Sequence, residues 1–458
     1  MALTATDPGH APRFVARLPA RLRALLASEH AGAQRMAGSA FAIRVAGAGV
    51  VFLAQVLLAR WMGVTEFGIY VYAWTWLLLT GDIIHLGLPL IAQRLIPEFR
   101  QRGRLDHLRG FLVGSRWVVF ASASVVALGG AVAVRSLAAG LDPHAVMPLY
   151  LACAALPFYA LSNMLDGIAR SYNAVGTALV PPFVLRPLAL IGAVAAAHAA
   201  GLAADATLAM SAFALATWST TLLQLILLGR QLDRHVPAGA RRYEFGPWLA
   251  ASMPVFAVWA LITLLSYADV LVLRQFRPPQ EVAQYYAAAK TLALVAFIHF
   301  SVAAAVAHRF AACHVAGDRQ GLQALVATTV RWTFWPSLVA TLLLLALGRP
   351  ILWLFGPEFL AAYPLMFIMA VALMARAAVG PAERVLNMLG EQRRCALVYA
   401  AVFATQMAGC LAFAPGFGAI GVALATAAAV LLESALLFVL AKRRLGLHLF
   451  IWRPGGAT

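Results

Sequence analysis

Charged side chains are scarce in this chain of 458 residues. They make up 12% of the sequence, whereas apolar side chains make up 62%. So little polar surface could not cover a soluble core of this size, so lipid must be the solvent for most of the chain. Acidic residues are the scarcest, 18 against 35 basic ones. The basic residues gather at the ends of apolar runs, a pattern typical of membrane topology and not of nucleic-acid binding.

Cysteine is also rare, and the usual catalytic motifs are absent from the sequence. The four cysteines have no CxxC spacing, which excludes a zinc site of the common kind and gives no sign of a disulfide framework. No D-x-D pair, HExxH or GxSxG motif occurs, and the loops between apolar runs are short. The sequence therefore argues against a membrane-bound glycosyltransferase or polymerase. We expect neither a cofactor nor enzymatic activity.

Long apolar runs are what the chain has in abundance. A helix needs about 20 predominantly apolar residues to span a bilayer. Twelve segments meet this requirement, and we predict an all-α polytopic membrane protein with spans at 38–59, 67–91, 111–134, 146–166, 178–199, 207–229, 247–271, 284–307, 327–347, 359–381, 395–414 and 419–441.

The flanking charges predict the orientation of these spans. Most arginines lie on one side, which the positive-inside rule makes the cytoplasmic side. Both termini then lie in the cytoplasm, as an even number of spans requires.

The chain also repeats itself. The segment Glu66–Tyr70 (EFGIY) returns as Glu281–Tyr285 (EVAQY), and three further matches share the same offset of about 215 residues. Because six spans are an even number, the halves should be parallel repeats with the functional site between them. The predicted domains are a cytoplasmic tail, a six-helix lobe, a cytoplasmic linker, a second six-helix lobe and a second tail, at 1–35, 36–229, 230–246, 247–441 and 442–458.

Three segments carry a resemblance to a known family. They are GVTEFGIY at Gly63–Tyr70, GLPLIAQRLIPEF at Gly87–Phe99 and LFGPEFLAAYPL at Leu354–Leu365. In these segments the chain resembles the Wzx-type polysaccharide and O-antigen flippases of the multidrug/oligosaccharidyl-lipid/polysaccharide exporter superfamily. The resemblance implies two lobes in a V shape that work by alternating access. It also implies a location in the inner (plasma) membrane of a bacterium and a cargo of undecaprenyl-diphosphate-linked oligosaccharide, moved from the cytoplasmic to the periplasmic leaflet. The expected partners are membrane lipids and other polysaccharide-assembly membrane proteins.

Ionisable residues inside spans are the candidates for the transport site. Each costs about 2.5–3.5 kcal/mol to insert, so such residues usually face a cavity or a partner. Guanidinium groups match phosphate oxygens, and we predict that the diphosphate is bound by Arg44, Arg186, Lys290 and Arg376. The alternative is that the arginines extend to the headgroups or pair with nearby carboxylates. The candidates for ion coupling or charge pairing are Asp82, His85, Asp269 and Glu433.

Two details of this prediction concern spacing. Five of these residues should lie at a similar depth, about 7–14 Å inside the cytoplasmic boundary, and so form a belt of charged side chains. They are Arg44, Asp82, Arg186, Arg376 and Glu433. Asp82 and His85 are three residues apart and share a helix face, where they could exchange protons or form a structural hydrogen bond. A multidrug or cation antiporter of the same superfamily is the alternative function, although a belt of arginines would repel cationic drugs.

Overall fold

The computed structural model describes residues 20–299, 301, 302, 306, 310 and 318–452, and this part of the chain is helical with short connections and no β-strand. A π-helical turn, Pro181–Leu185, and a 3₁₀ segment, Pro357–Ala362, lie between helices. The helices are α1 Ala20–Ile84, α2 Leu88–Gln101, α3 Leu105–Leu137, α4 Pro143–Ser171, α5 Val175–Val180, α6 Arg186–Ala199, α7 Ala206–His235, α8 Phe245–Phe276, α9 Pro279–Ala293, α10 Arg319–Ala346, α11 Gly348–Phe355, α12 Tyr363–Val379, α13 Ala382–Met388 and α14 Gln392–Leu445.

Among the described residues, nine helical stretches are long and apolar enough to cross a membrane. Two of them hold two crossings each, because α1 breaks at Gly63 and α14 breaks at Gly418, both with positive φ. These breaks fall between predicted spans. The eighth predicted span, 284–307, begins on α9 and continues into residues that are only partly described. The twelve predicted spans thus all fall on helices, as far as the description reaches.

One predicted boundary is wrong. The second span was expected to run over 67–91, but α1 ends at Ile84 because Leu86 and Gly87 adopt positive φ angles of 52° and 73°. A Cβ at Gly87 would press against Phe256 of α8, so glycine allows the close approach of the two helices here. Hydropathy alone does not register such a break, since the residues on both sides are apolar.

The segment Val236–Glu244, which joins α7 to α8, defines the side of the bundle that we call the linker side. It is fixed to the start of α3, where the Arg109 guanidinium donates to the carbonyl oxygen of Pro237 at 2.6 Å. The helices alternate in direction, so the other ends of the spans form what we call the opposite side. Both ends of the described chain lie on the linker side.

The two halves meet in a buried aromatic cluster at the opposite side. Phe67 of the first half packs edge-on against Tyr286 at 6.1 Å and Phe359 at 6.0 Å, both from the second half. A second buried cluster surrounds Phe111 of the first half and includes Trp248 of α8, whose ring centre lies 5.2 Å from that of Phe111, and a third surrounds Tyr399 in the second half. The halves are therefore joined at the opposite side and also through α8 nearer the linker side.

The duplicated architecture is visible in a pair of matching hydrogen bonds. Glu66 accepts from the backbone N–H of Ala206, the first residue of α7, at 3.0 Å. Glu281 accepts from the backbone N–H of Ala419, next to the break in α14, at 3.1 Å. Each glutamate thus caps the start of the last crossing of its own half.

We expect Glu66→Ala and Glu281→Ala each to lower the free energy of unfolding by about 1 kcal/mol, because each leaves a helix-start N–H without its acceptor. Thermal unfolding of the purified protein in detergent measures the loss. Glu358→Ala serves as the control, since the carboxylate of Glu358 accepts no hydrogen bond within the described part. Equal losses in all three variants would contradict the assignment.

Candidate functional site

A cavity of about 510 Å³ lies inside the second half, between α8, α9, α10, α12, α13 and α14. Toward the linker side it is bounded by Gly380 and Pro381, which follow the end of α12. The polar and charged side chains that line it are Ser266, Asp269, Lys290, His299, Ser337, Glu383, Arg384, Arg376, Tyr399, Gln406, Thr426, Glu433 and Ser434.

An ion pair occupies one wall of this cavity. The Arg376 guanidinium donates to a carboxylate oxygen of Glu433 at 2.5 Å. The Arg376 side chain is 49% exposed, whereas that of Glu433 is only 6% exposed. The Tyr399 hydroxyl lies 3.5 Å from the other carboxylate oxygen. The arginine therefore faces the cavity, and the glutamate lies behind it.

The other wall carries Asp269 and Lys290. The Tyr285 hydroxyl donates to Asp269 at 2.6 Å, and the backbone N–H of Val270 donates to the second carboxylate oxygen at 2.8 Å. The Lys290 ammonium lies 5.0 Å from the centre of the Tyr286 ring, a cation–π distance. Asp269 is thus held by hydrogen bonds, and the charge of Lys290 remains available to the cavity.

The cavity balances three basic side chains against three acidic ones, but their partners differ. Glu433 is tied to Arg376, and Glu383 accepts from the side-chain amide of Asn387 at 3.2 Å. The formal charges of the cavity therefore cancel, but Lys290 and Arg384 are cations without a salt-bridge partner among the described residues.

Arg186 lies elsewhere, in the first half. It is 6% exposed and follows the π-helical turn Pro181–Leu185. Its guanidinium donates to the Ser162 hydroxyl at 2.9 Å and lies 5.3 Å from the centre of the Tyr159 ring. In this conformation Arg186 is part of a buried network within the first half and does not line the cavity.

Asp82 belongs to the same network, and His85 does not pair with it. Asp82 accepts from the Tyr159 hydroxyl at 3.2 Å and from the Asn163 amide at 3.0 Å. His85 accepts from the backbone N–H of Gly87 at 3.2 Å, through Nδ1. The spacing that placed both on one helix face does not bring them into contact, because Asp82 turns toward α4 and His85 toward the break in the chain.

Arg44 is exposed, on the linker-side part of α1. It lies close enough to Asp166, Arg170 and Arg384 to interact with them electrostatically. Of the predicted belt, Arg376 and Glu433 are together in the cavity and Asp82 and Arg186 are together in the buried network, whereas Arg44 forms no hydrogen bond or salt bridge with either group among the described residues. The expected single belt is thus two separate groups and one exposed arginine.

The sequence reasoning missed several polar residues of the cavity, among them Glu383, Arg384 and Tyr399. Glu383 and Arg384 follow the predicted tenth span and so were counted with its connecting turn. The Gly380-Pro381 pair before them was the available signal, because it interrupts the helix and lets α13 fold back over the cavity. Tyr399 is a single polar hydroxyl in an apolar run, which gave no signal.

Contacts between the halves close the opposite side. Arg274 of the second half pairs with Asp142 of the first at 3.2 Å. Arg60 of the first half donates to the carbonyl oxygen of Trp353 of the second at 3.2 Å and lies 4.8 Å from the centre of its ring. We call these two contacts, together with the approach of Gly68 to Pro279, the opposite-side closure.

Within the described residues, no group of three His, Cys, Asp or Glu side chains is arranged to hold a metal ion.

Family comparisons agree with this architecture. The model for the family described as "Polysaccharide biosynthesis protein" matches residues 35–308, more than half of the chain, and the MatE model matches residues 254–412. No curated protein matches the chain significantly.

Several solved structures resemble the chain over most of its length. An inward-facing multidrug resistance MATE family transporter of the MOP superfamily aligns with a TM-score of 0.74 at 14% identity, over 87% of this chain and 94% of the other. The lipid II flippase MurJ, in its inward closed conformation, aligns with a TM-score of 0.68 at 16% identity, over 88% of this chain and 87% of the other. A MOP superfamily transporter from Pyrococcus furiosus aligns with a TM-score of 0.62 at 13% identity, over 89% and 95%. At these identities the likeness concerns the fold, and it confirms the predicted class of an all-α, V-shaped, two-lobed membrane protein.

Proposed function

Since the chain belongs to the polysaccharide biosynthesis protein family, we propose that it is a flippase for lipid-linked oligosaccharides. The cargo would be an undecaprenyl-diphosphate-linked glycan, moved from the cytoplasmic to the periplasmic leaflet of a bacterial inner membrane by alternating access. The linker side and both termini are then cytoplasmic. Other polysaccharide-assembly membrane proteins would supply and consume the cargo.

The observation that carries this proposal is the set of basic side chains that line the second-half cavity. Arg376 presents planar donors to the cavity, and Lys290 and Arg384 add positive charge without salt-bridge partners in the described part. Such donors match the oxygens of a diphosphate, and the surrounding apolar wall strengthens each contact. Arg44, exposed on the linker side, is placed to attract the same group on its way in.

The predicted roles of the other residues change accordingly. Arg186 and Asp82 are assigned to holding α4 and the π-helical turn together, because their hydrogen-bonding groups are turned toward Ser162, Tyr159 and Asn163. Asp269 sets the electrostatic environment of Lys290. His85 fixes the chain break before α2.

This assignment separates two arginines that the sequence grouped together. We expect Arg186→Leu to lower the free energy of unfolding by about 2 kcal/mol, because it removes a buried donor and a cation–π contact. We expect Arg44→Gln to leave stability unchanged within about 0.5 kcal/mol and to slow transport several-fold. Thermal unfolding and a flipping assay on both variants measure this. A destabilised Arg44→Gln with a stable Arg186→Leu would contradict it.

A multidrug antiporter is the second candidate, favoured by the MatE match over residues 254–412. A cationic drug would need an available carboxylate in the cavity. Asp269 accepts hydrogen bonds from Tyr285 and Val270, Glu383 from Asn387, and Glu433 from Arg376. Each carboxylate thus already has a donor, whereas Lys290 and Arg384 have no salt-bridge partner among the described residues, and this difference favours an anionic cargo.

Deletion of the gene in its host, complemented with the intact protein or with Arg376→Gln, tests the proposal. The surface polysaccharide and the sidedness of its lipid-linked intermediates are the readouts. Loss of the polymer, with complete intermediates held in the cytoplasmic leaflet, is expected for the deletion and for Arg376→Gln. Unchanged polysaccharide together with new drug sensitivity would favour the antiporter.

A further inference from the structure

The ion pair in the second-half cavity places a carboxylate in competition with any anion that arrives there. Arg376 faces the cavity, but its guanidinium already bonds to Glu433 at 2.5 Å. Glu433 is 6% exposed and lies behind the arginine, so the cargo can reach the arginine more readily than the glutamate. A phosphate that takes donors from Arg376 leaves Glu433 as a buried charge without its partner, which is costly in an apolar surrounding.

We infer that an anion binds at Arg376 together with one proton on Glu433. This deepens the proposed function and rests on it. The step is an exchange of partners: the anion accepts hydrogen bonds from the Arg376 guanidinium, and the Glu433 carboxylate takes one proton from the cytoplasmic solvent and becomes a neutral acid. The reverse exchange returns the proton when the anion leaves. Glu433 thus couples proton uptake to cargo binding.

The surroundings of Glu433 suit a group that changes its charge. The Tyr399 hydroxyl, 3.5 Å away, can donate to the carboxylate and accept from the acid. The charged and titratable groups that line the same cavity are Asp269 of α8, Lys290 of α9, His299 of the segment after α9, Arg376 of α12, Glu383 and Arg384 of α13 and Tyr399 of the first part of α14. Glu383 carries a charge of the same sign as Glu433, and Lys290, Arg376 and Arg384 carry the opposite sign.

The first half indicates that the fold does not need this ion pair. In the register of the repeat, Ser162 stands where Arg376 stands, and Thr220 stands where Glu433 stands. The Thr220 hydroxyl donates to the backbone carbonyl of Ala216 at 2.6 Å within its own helix. The same positions of the same fold are thus occupied by neutral hydroxyls in one half. The charged pair is a property of the second half alone and is available for a task other than packing.

The test uses farnesyl diphosphate as the probe and the full-length protein in detergent. Calorimetry measures its dissociation constant at about pH 6 and about pH 8 for the wild type, Glu433→Gln and Glu383→Gln. The probe's own titration is common to all three proteins and cancels in their ratios. Glu383→Gln is the matched control, since it removes the same charge from the same cavity but breaks no bond to Arg376. In addition, repeating the wild-type titration in buffers of different ionisation enthalpy counts the protons taken up per probe.

We expect Glu433→Gln to bind farnesyl diphosphate about tenfold more tightly than the wild type at the higher pH. The ratio of the two dissociation constants should fall toward one at the lower pH. Glu383→Gln should differ from the wild type by much less. Parallel pH profiles for the wild type and Glu433→Gln, or equal gains from both substitutions, would overturn the inference and leave the proposed function standing. No binding by any of the three proteins would overturn both. If Glu433→Gln does not fold, the proton count for the wild type decides the question. Uptake of about one proton per bound probe, beyond any proton taken up by farnesyl diphosphate itself, supports the coupling, and no such uptake overturns it.

Discussion

Replacing Gly68 with leucine is expected to open the opposite side of the protein. A Cβ at Gly68 would overlap the carbonyl oxygen of Pro279, so the two backbones can meet only while residue 68 has no side chain. Overpacking of this kind costs about 1–3 kcal/mol. Because this cost applies only to the closed state, the ratio of open to closed molecules should rise by roughly 5- to 150-fold.

Spin labels on the two halves measure this shift. Ser136 and Glu358 are exposed residues of the opposite side in the first and second halves, and cysteines there can be labelled after removal of the native cysteines. The distance distribution should move to longer values in Gly68→Leu. Gly129→Leu is the control, since a Cβ at Gly129 meets no atom within 4 Å. A distribution that is the same in both variants would refute the role given to the Gly68 contact.

The second large effect is expected at Arg376. We expect Arg376→Gln to reduce transport on the order of a hundredfold, because it removes the planar donors of the cavity and leaves the buried Glu433 unpaired. Arg376→Lys keeps the charge but loses the two parallel N–H donors of the guanidinium, so its transport rate should lie between those of the wild type and Arg376→Gln. Flipping of a fluorescent polyprenyl-diphosphate glycan in proteoliposomes measures all three.

Arg349 provides the matched control for this substitution. It lies on the opposite side, 5.2 Å from the centre of the Tyr363 ring and outside the cavity. Arg349→Gln should transport within about twofold of the wild type, as expected of a surface substitution away from the site. If Arg376→Gln also transported at that rate while remaining folded, the diphosphate contact would have to lie elsewhere. The double variant Arg376→Gln with Glu433→Gln should recover stability but not transport, because the unpaired charge is gone and the donors are still missing.

Much of the fold could be predicted from the sequence, because hydropathy and repeat register are properties of single helices. The twelve spans and the duplication depend only on which residues are apolar and how often a pattern returns. The break at Leu86 and Gly87 could not be predicted, because it depends on how closely α8 approaches the chain there. A glycine in an apolar run gives no information about which helix will pack against it.

The candidate site was harder to predict than the fold. Depth along a helix placed Arg186 and Arg376 at one level, but depth does not say which way a side chain points. The packing of α4 against the π-helical turn directs Arg186 into the first half, whereas Arg376 faces the second-half cavity. His85 lies just past the end of α1, so its spacing from Asp82 does not fix a shared helix face, and partners on neighbouring elements decide the bonds of each.

The opposite-side closure has the symmetry of a dimer. Arg60 and Arg274 each end the first crossing of one half, and each reaches the loop before the fourth crossing of the other half. A reciprocal arrangement of this kind is an isologous interface, in which one surface patch meets its own copy. The junction between the halves therefore has the approximate two-fold symmetry of a homodimer interface, within a single chain. The symmetry is not exact in chemistry, because Arg274 pairs with a carboxylate whereas Arg60 contacts a carbonyl oxygen and an indole face.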